Sequence, residues 1–192
     1  MSLCSSMITK QSTPMKSRDN KGITDEEEIS LIESISSLIE DIINKNKSKK
    51  NKSKKTIFYC EDSKIPKTSI FSFIFYIYSY LNLDFSTILL SLISIKRLLS
   101  RTRDELSKNN FYKLFLTSCL LNSKQNEDHS YDSNIFAIIG KIDINELVLL
   151  EKEYFSMIDY KLFVNEEVYQ RYYDFIKKRI VKANKKISFN SI

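Results

Sequence analysis

The sequence predicts an all-α fold, and three observations lead there. Only two glycines and two prolines occur among 192 residues. A sandwich or barrel would need a turn residue every ten or so positions, which this chain does not have. Apolar residues recur three and four apart through most of the chain, the spacing of one helix face. With 11 Tyr, 12 Phe and no Trp in a chain that is 42% hydrophobic, large rings must fill much of the shared core.

Residues 1–22, rich in Ser, Thr and Lys around Pro14, are expected to form a disordered lead without the apolar stretch of a signal peptide. Residues 23–43 read as an amphipathic helix. Ile29, Ile32, Ile35, Ile39 and Ile42 make its stripe, Thr24 is the N-cap, and Glu26, Glu27 and Glu28 sit where the helix dipole favours anions. This helix either packs on the following domain or engages a partner. Residues 44–55 carry seven lysines between Lys45 and Lys55, interleaved with Asn and Ser. That pattern is a solvated linker first and a nuclear-localisation or phosphate-binding patch second.

A helical domain is expected over 56–184, able to fold alone from about Thr56 to Lys186, with a tail over 185–192. Pro66 suits the first turn of a helix that carries Ile70, Ile74, Ile77, Tyr78 and Leu81. Ile70 to Ile95 holds a single charge, Asp84, and is long enough to span a bilayer. Asp84 would then sit near the middle of the span, at a cost of about 2.5–3.5 kcal/mol. A break at Asn82-Leu83-Asp84 removes that cost, so no membrane span is expected.

The second helix, from about Ser86 to Ser100, is apolar nearly all round and should be the buried centre of a bundle. A third starts at Asn109 or Asn110, carries Leu114, Phe115, Cys119, Leu120 and Leu121, and ends near Lys124. Gly140 stops a short helical turn containing Ile135, Phe136 and Ile138. Asp143 caps a fourth helix, with Glu146 completing a capping box and Ile144, Leu147, Leu150, Tyr154 and Ile158 as the buried stripe. Asn165 caps a fifth, with Val168, Tyr172, Phe175, Ile176 and Ile180 facing inward.

Nothing in the chain has the form of a catalytic site. The single histidine, His129, lies in a polar loop, and there is no Gly-rich phosphate loop, GxSxG, HExxH or kinase signature. Cys4, Cys60 and Cys119 are far apart and show no metal-binding spacing, which fits a reduced intracellular compartment. No cofactor, metal or small-molecule substrate is expected. The net charge of +6 is concentrated in Lys45–Lys55 and in six basic residues between Lys177 and Lys186, so a nucleic-acid partner is not expected either.

Ile65-Pro66 with Ser69, Ile95 with Arg97-Leu98, Leu114 to Ser118, Ser123-Lys124, Gly140 with Ile142, and Glu146 to Glu151 together resemble the cyclin box of the P-type cyclins, the phosphate-regulon group. The resemblance covers about half the chain, and its force lies in the order and spacing of several weak motifs. It implies a single cyclin box, a five-helix bundle around a buried second helix, with the N-terminal amphipathic helix added. It implies a non-catalytic regulatory subunit of a cyclin-dependent protein kinase, binding through the third to fifth helices. Lys124 at the end of the third helix and Glu151 in the fourth take the positions of the family's kinase-binding pair. Lys96 stands in place of an Asp, Tyr112-Lys113 of His-Arg, Lys141 of a second Gly, and Asn122 and Gln125 of a small residue and an aromatic. With that Asp lost, its basic partner on the first helix is lost too, which removes a buried ion pair as a unit.

Two other readings stand beside this one. A cyclin-fold interaction module without a kinase, of transcription-factor type, would usually carry two boxes and a basic helical face. RNA or membrane-surface binding through Lys45–Lys55 would fall steeply with salt.

Overall fold

A computed structural model describes residues 24–48, 56–128 and 132–189. The lead over 1–22, residues 49–55 of the lysine-rich stretch, His129 and the end of the tail lie outside them. Seven α-helices and one 3₁₀ turn account for the secondary structure, and there is no strand among the described residues. The helices are α1 (Asp25–Ser48), α2 (Ile70–Tyr80), α3 (Phe85–Thr102), α4 (Lys108–Asn126), α5 (Ser133–Gly140), α6 (Ile144–Met157) and α7 (Glu166–Phe189). α1 therefore runs five residues into the stretch read as linker, and α7 runs five residues into the stretch read as tail.

α3 and α4 pack along one another at the centre, with α5 and α6 against α4. α1 lies across α2 and α7, and α7 also meets α3. α3 buries Phe85, Ile88, Leu89, Ile93, Ile95 and Leu98, as an all-round apolar helix should. α4 shares that central place, with every residue from Leu114 to Ser123 buried. The rings meet as their number requires. Phe73 of α2 stands edge-on to Phe111, Tyr112 and Phe115 of α4, with centroids 5.0 to 6.4 Å apart.

The long apolar stretch is two helices. Leu81 closes α2, Asn82 takes a left-handed φ of 43°, and Asp84 is the N-cap residue of α3. Asn is one of the few residue types that visits that conformation readily. No helix among the described residues is long and apolar enough to cross a membrane. Pro66 lies before α2 and not in its first turn, because Ser69 is the N-cap, its hydroxyl accepting from the Ser72 amide at 3.0 Å.

The carboxylate that caps α3 comes from elsewhere. Glu127, just past the end of α4, accepts from the Asp84 amide at 3.0 Å and from the Thr87 hydroxyl at 2.6 Å. Asp143 does cap α6, accepting from the Asn145 amide at 2.8 Å. Glu146 does not close a capping box; its carboxylate pairs with Lys113 of α4 at 2.7 Å. Asn165 caps α7 through the Val168 amide at 3.0 Å, but Phe175 is exposed, and only Ile176 of the expected stripe is fully buried.

α1 belongs to the core. Thr24 caps it, its hydroxyl accepting from the Glu27 amide at 3.2 Å. Its buried stripe is Leu31, Ile32, Ile35, Ile39 and Ile43, while Ile42 is exposed and Ile29 half-buried. Tyr78 of α2 hydrogen-bonds the buried Glu28. α7 grips the same helix through Lys177–Glu27 at 2.8 Å and Arg179–Asp41 at 2.9 Å. A chain beginning at Thr56 is thus expected to lose cooperative unfolding, because α2 and α7 would present apolar surface to water. Ile35→Ala should cost about 2–5 kcal/mol, and Ile42→Ala should stay within about 0.5 kcal/mol. Thermal melts of both variants check the register.

α5 ends differently from the sequence expectation. Lys141, not Gly140, takes the left-handed turn, with φ of 52°, and its amide donates to Ile138 O at 3.2 Å. Gly140 is required for space, since a Cβ there would meet Leu116 Cδ2 at 2.2 Å. Ile138 is exposed, and Phe136, Ala137 and Ile139 face inward. Lys141→Gly should raise stability by about 0.5–1 kcal/mol, by relieving a left-handed non-glycine residue. Gly140→Ala should lower it by about 1–3 kcal/mol through overpacking. Opposite shifts in melting temperature are the expected result.

Candidate functional site

The two residues singled out from sequence come together. Lys124, in the last turn of α4, places its ammonium 2.6 Å from the Glu151 carboxylate, midway along α6. Their side chains are 38% and 18% exposed, so the pair sits at a rim. Asp132, the N-cap of α5, lies close by. Hydrogen bonds from Asn134 hold its carboxyl below the usual range, and the Lys124 charge adds to that effect.

Beneath the pair lies a buried polar network that the sequence reading missed. The Tyr154 hydroxyl, one turn along α6 from Glu151, donates to Ser118 Oγ at 3.0 Å. Ser118 Oγ donates onward to the Ser91 carbonyl of α3 at 2.9 Å. Asn122 Nδ2 donates to Ser118 O at 2.8 Å. Burial pushes the Tyr154 hydroxyl far up from its ordinary pKa and the Cys119 thiol up to about 12, so both stay neutral. The small residues Ser91, Ser94 and Ser118 let α3 and α4 approach, and Asn122 uses that space. A polar residue inside an apolar helix run was the available signal for this network.

The flank of α6 that carries Glu151 continues outward. Val148 lies three residues before it and is exposed, as are Leu149 and Ile138 of α5. At the other end of α4, the Lys113–Glu146 pair joins the same two helices. Tyr112, where the resemblance has His, donates its hydroxyl to Thr68 O at 2.8 Å and ties down the approach to α2.

Lys96 stands where the resemblance has Asp. It is exposed on the outer face of α3, with its ammonium 5.0 Å from the Tyr172 ring centroid. Arg97 beside it donates to the carbonyls of Lys161 at 2.6 Å and Phe163 at 3.0 Å. Arg101 donates to Met157 O at 3.1 Å. Together they hold the α6–α7 connection, where Asp159 and Tyr160 are both left-handed.

An all-helical domain centred on two packed helices has the form of a cyclin-type domain. A model of the cyclin family matches residues 3–162, and the chain belongs to that family. It is 29% identical to Cyclin-U2-1 of Arabidopsis thaliana over 147 residues, 74% of this chain and 65% of the relative. It is 29% identical to Cyclin-U2-2 of the same plant over 120 residues, 62% of this chain and 51% of the relative. Cyclin-U4-3, also from Arabidopsis thaliana, is 26% identical over 121 residues, 62% of this chain and 55% of the relative. The chain spans between about half and two thirds of the length of these curated relatives. α7 lies beyond the matched residues.

The geometry separates rim from core energetically. Lys124→Ala and Glu151→Ala should each change folding stability by less than about 1 kcal/mol, as partly exposed ion pairs do. Tyr154→Phe should cost about 0.5–1.5 kcal/mol, the net worth of its buried hydrogen bond. Denaturant unfolding of the three variants makes the comparison.

Proposed function

We propose that this cyclin is the regulatory subunit of a cyclin-dependent protein kinase and that it is itself non-catalytic. It binds through the third to fifth helices of the box, here α4, α6 and α7, with Lys124 and Glu151 as the polar centre of the contact. The observation that carries this reading is the 2.6 Å pair itself, built from residues 27 apart in sequence and set at a rim. An ammonium has three N–H donors and a carboxylate about four acceptor positions, so one mutual bond leaves both able to take a partner's backbone carbonyl and amide. Exposed Val148, Leu149 and Ile138 supply apolar anchors beside them.

Binding favours the kinase conformation with its αC helix turned inward, and the population shifts toward the active state. Within the family, the motifs around Arg97-Leu98 and Ser123-Lys124 support placement in the phosphate-regulon group. The buried free thiols of Cys60 and Cys119 support work inside the cell, in nucleus, cytoplasm or both.

Pull-down with kinase identification, followed by affinity measurement, tests the proposal. Lys124→Ala and Glu151→Ala should each weaken kinase binding by about 2–5 kcal/mol, the usual cost of truncating one partner of a desolvated charge contact. Lys152→Ala, on the exposed side of α6, should leave it unchanged. Kinase activity should rise when the wild-type chain is added. Wild-type affinity in both rim variants would remove the pair from the interface, and no captured kinase would leave a cyclin-fold module of another kind.

A further inference from the structure

A second feature of the surface lies away from the rim pair, in the groove between α3 and α7. It has a volume of about 380 Å³ and is lined by Ile93, Lys96, Arg97, Ser100, Arg101, Val168 and Tyr172. Three of its residues are cations and none is a carboxylate. Asp159, which stands 4.0 Å from Arg101, is already held by Lys161 at 2.7 Å.

Arg97 and Arg101 are four apart on one helix, where like charges destabilise, and Lys96 adds a third. The clamp on the α6–α7 connection accounts for part of each arginine only. Both Arg97 bonds leave from Nη1, so its Nη2–H and Nε–H groups have no acceptor among the described residues. Ser100 is committed, donating to Lys96 O at 2.8 Å. The guanidinium of Arg97 is thereby fixed before any ligand arrives, and a fixed guanidinium suits the two-point geometry of a phosphate.

We propose that this groove binds a phosphorylated Ser or Thr side chain of a protein partner. Arg97, Arg101 and Lys96 take the phosphate, and Tyr172 and Val168 pack the flanking residues. The space and the apolar wall exceed what a bare anion fills, which selects the peptide over free phosphate.

The test measures fluorescence anisotropy of a labelled dodecapeptide, one central phosphothreonine among alanines and valines, against its unphosphorylated twin on the full chain. The phosphopeptide should bind at least tenfold tighter than the twin. Lys96→Glu should lower that affinity at least tenfold and Lys96→Gln by less, both with wild-type melting temperature. Lys152→Glu, the same charge change on α6, should leave it unaltered. Equal binding of the twins, or wild-type affinity in Lys96→Glu, would overturn the proposal. So would an equal loss in Lys152→Glu, which would reduce the effect to net charge. Inorganic phosphate binding as tightly as the phosphopeptide would overturn the assignment to a protein segment.

Discussion

The fold depends on burying one helix on all sides. From Leu114 to Ser123, α4 has no face left for water, yet that run includes Thr117, Ser118, Asn122 and Ser123. Each of these polar groups is satisfied within the protein. Thr117 donates to Lys113 O at 2.8 Å, Ser123 to Leu120 O at 3.0 Å, and Ser118 and Asn122 join the network between α3 and α6. An unpaired buried hydroxyl or amide would cost about 1–3 kcal/mol. The network therefore sets which rotation of α4 is tolerated against α3, and that rotation delivers Lys124 to Glu151 once the helix emerges at its last turn.

Much of this was legible in the sequence, for identifiable reasons. The helix from Ile70 to Tyr80 followed from the three- and four-residue spacing of its apolar side chains, and the break at Asn82 followed from the cost of a charge in an apolar run. What failed was fine register. In α1 every fourth or third isoleucine was a candidate, and Leu31 and Ile43 displaced Ile29 and Ile42 because α2 and α7 both press on that helix. Local rules also lost to tertiary partners: Glu146 answered Lys113 instead of its own helix start, and Glu127 capped a helix whose N-cap residue lies 43 residues earlier in the chain. Single-sequence periodicity contains no term for such contacts.

The candidate site was legible only as two positions. The cyclin resemblance singled out Lys124 and Glu151, but their mutual pairing depends on crossing geometry, which the sequence does not state. The tyrosine and serines beneath them looked like ordinary core residues. Gly140 and Lys141 show the same limit. A glycine beside a helix end suggested a conformational need, whereas the structure uses it to admit Leu116 and assigns the left-handed turn to the lysine.

The grip of α7 on α1 joins segments far apart in the sequence. Arg179 reaches Asp41 and Ser34 reaches the Ile176 carbonyl, across 138 and 142 residues of sequence. During synthesis α1 emerges well before α7. α1 can meet α2 early, but its second neighbour is made much later. The finished packing is therefore a late event, slow in proportion to the loop it closes. Until then, part of an isoleucine-rich surface faces the ribosome's surroundings, and whatever chaperones the nascent chain meets have this helix to shield.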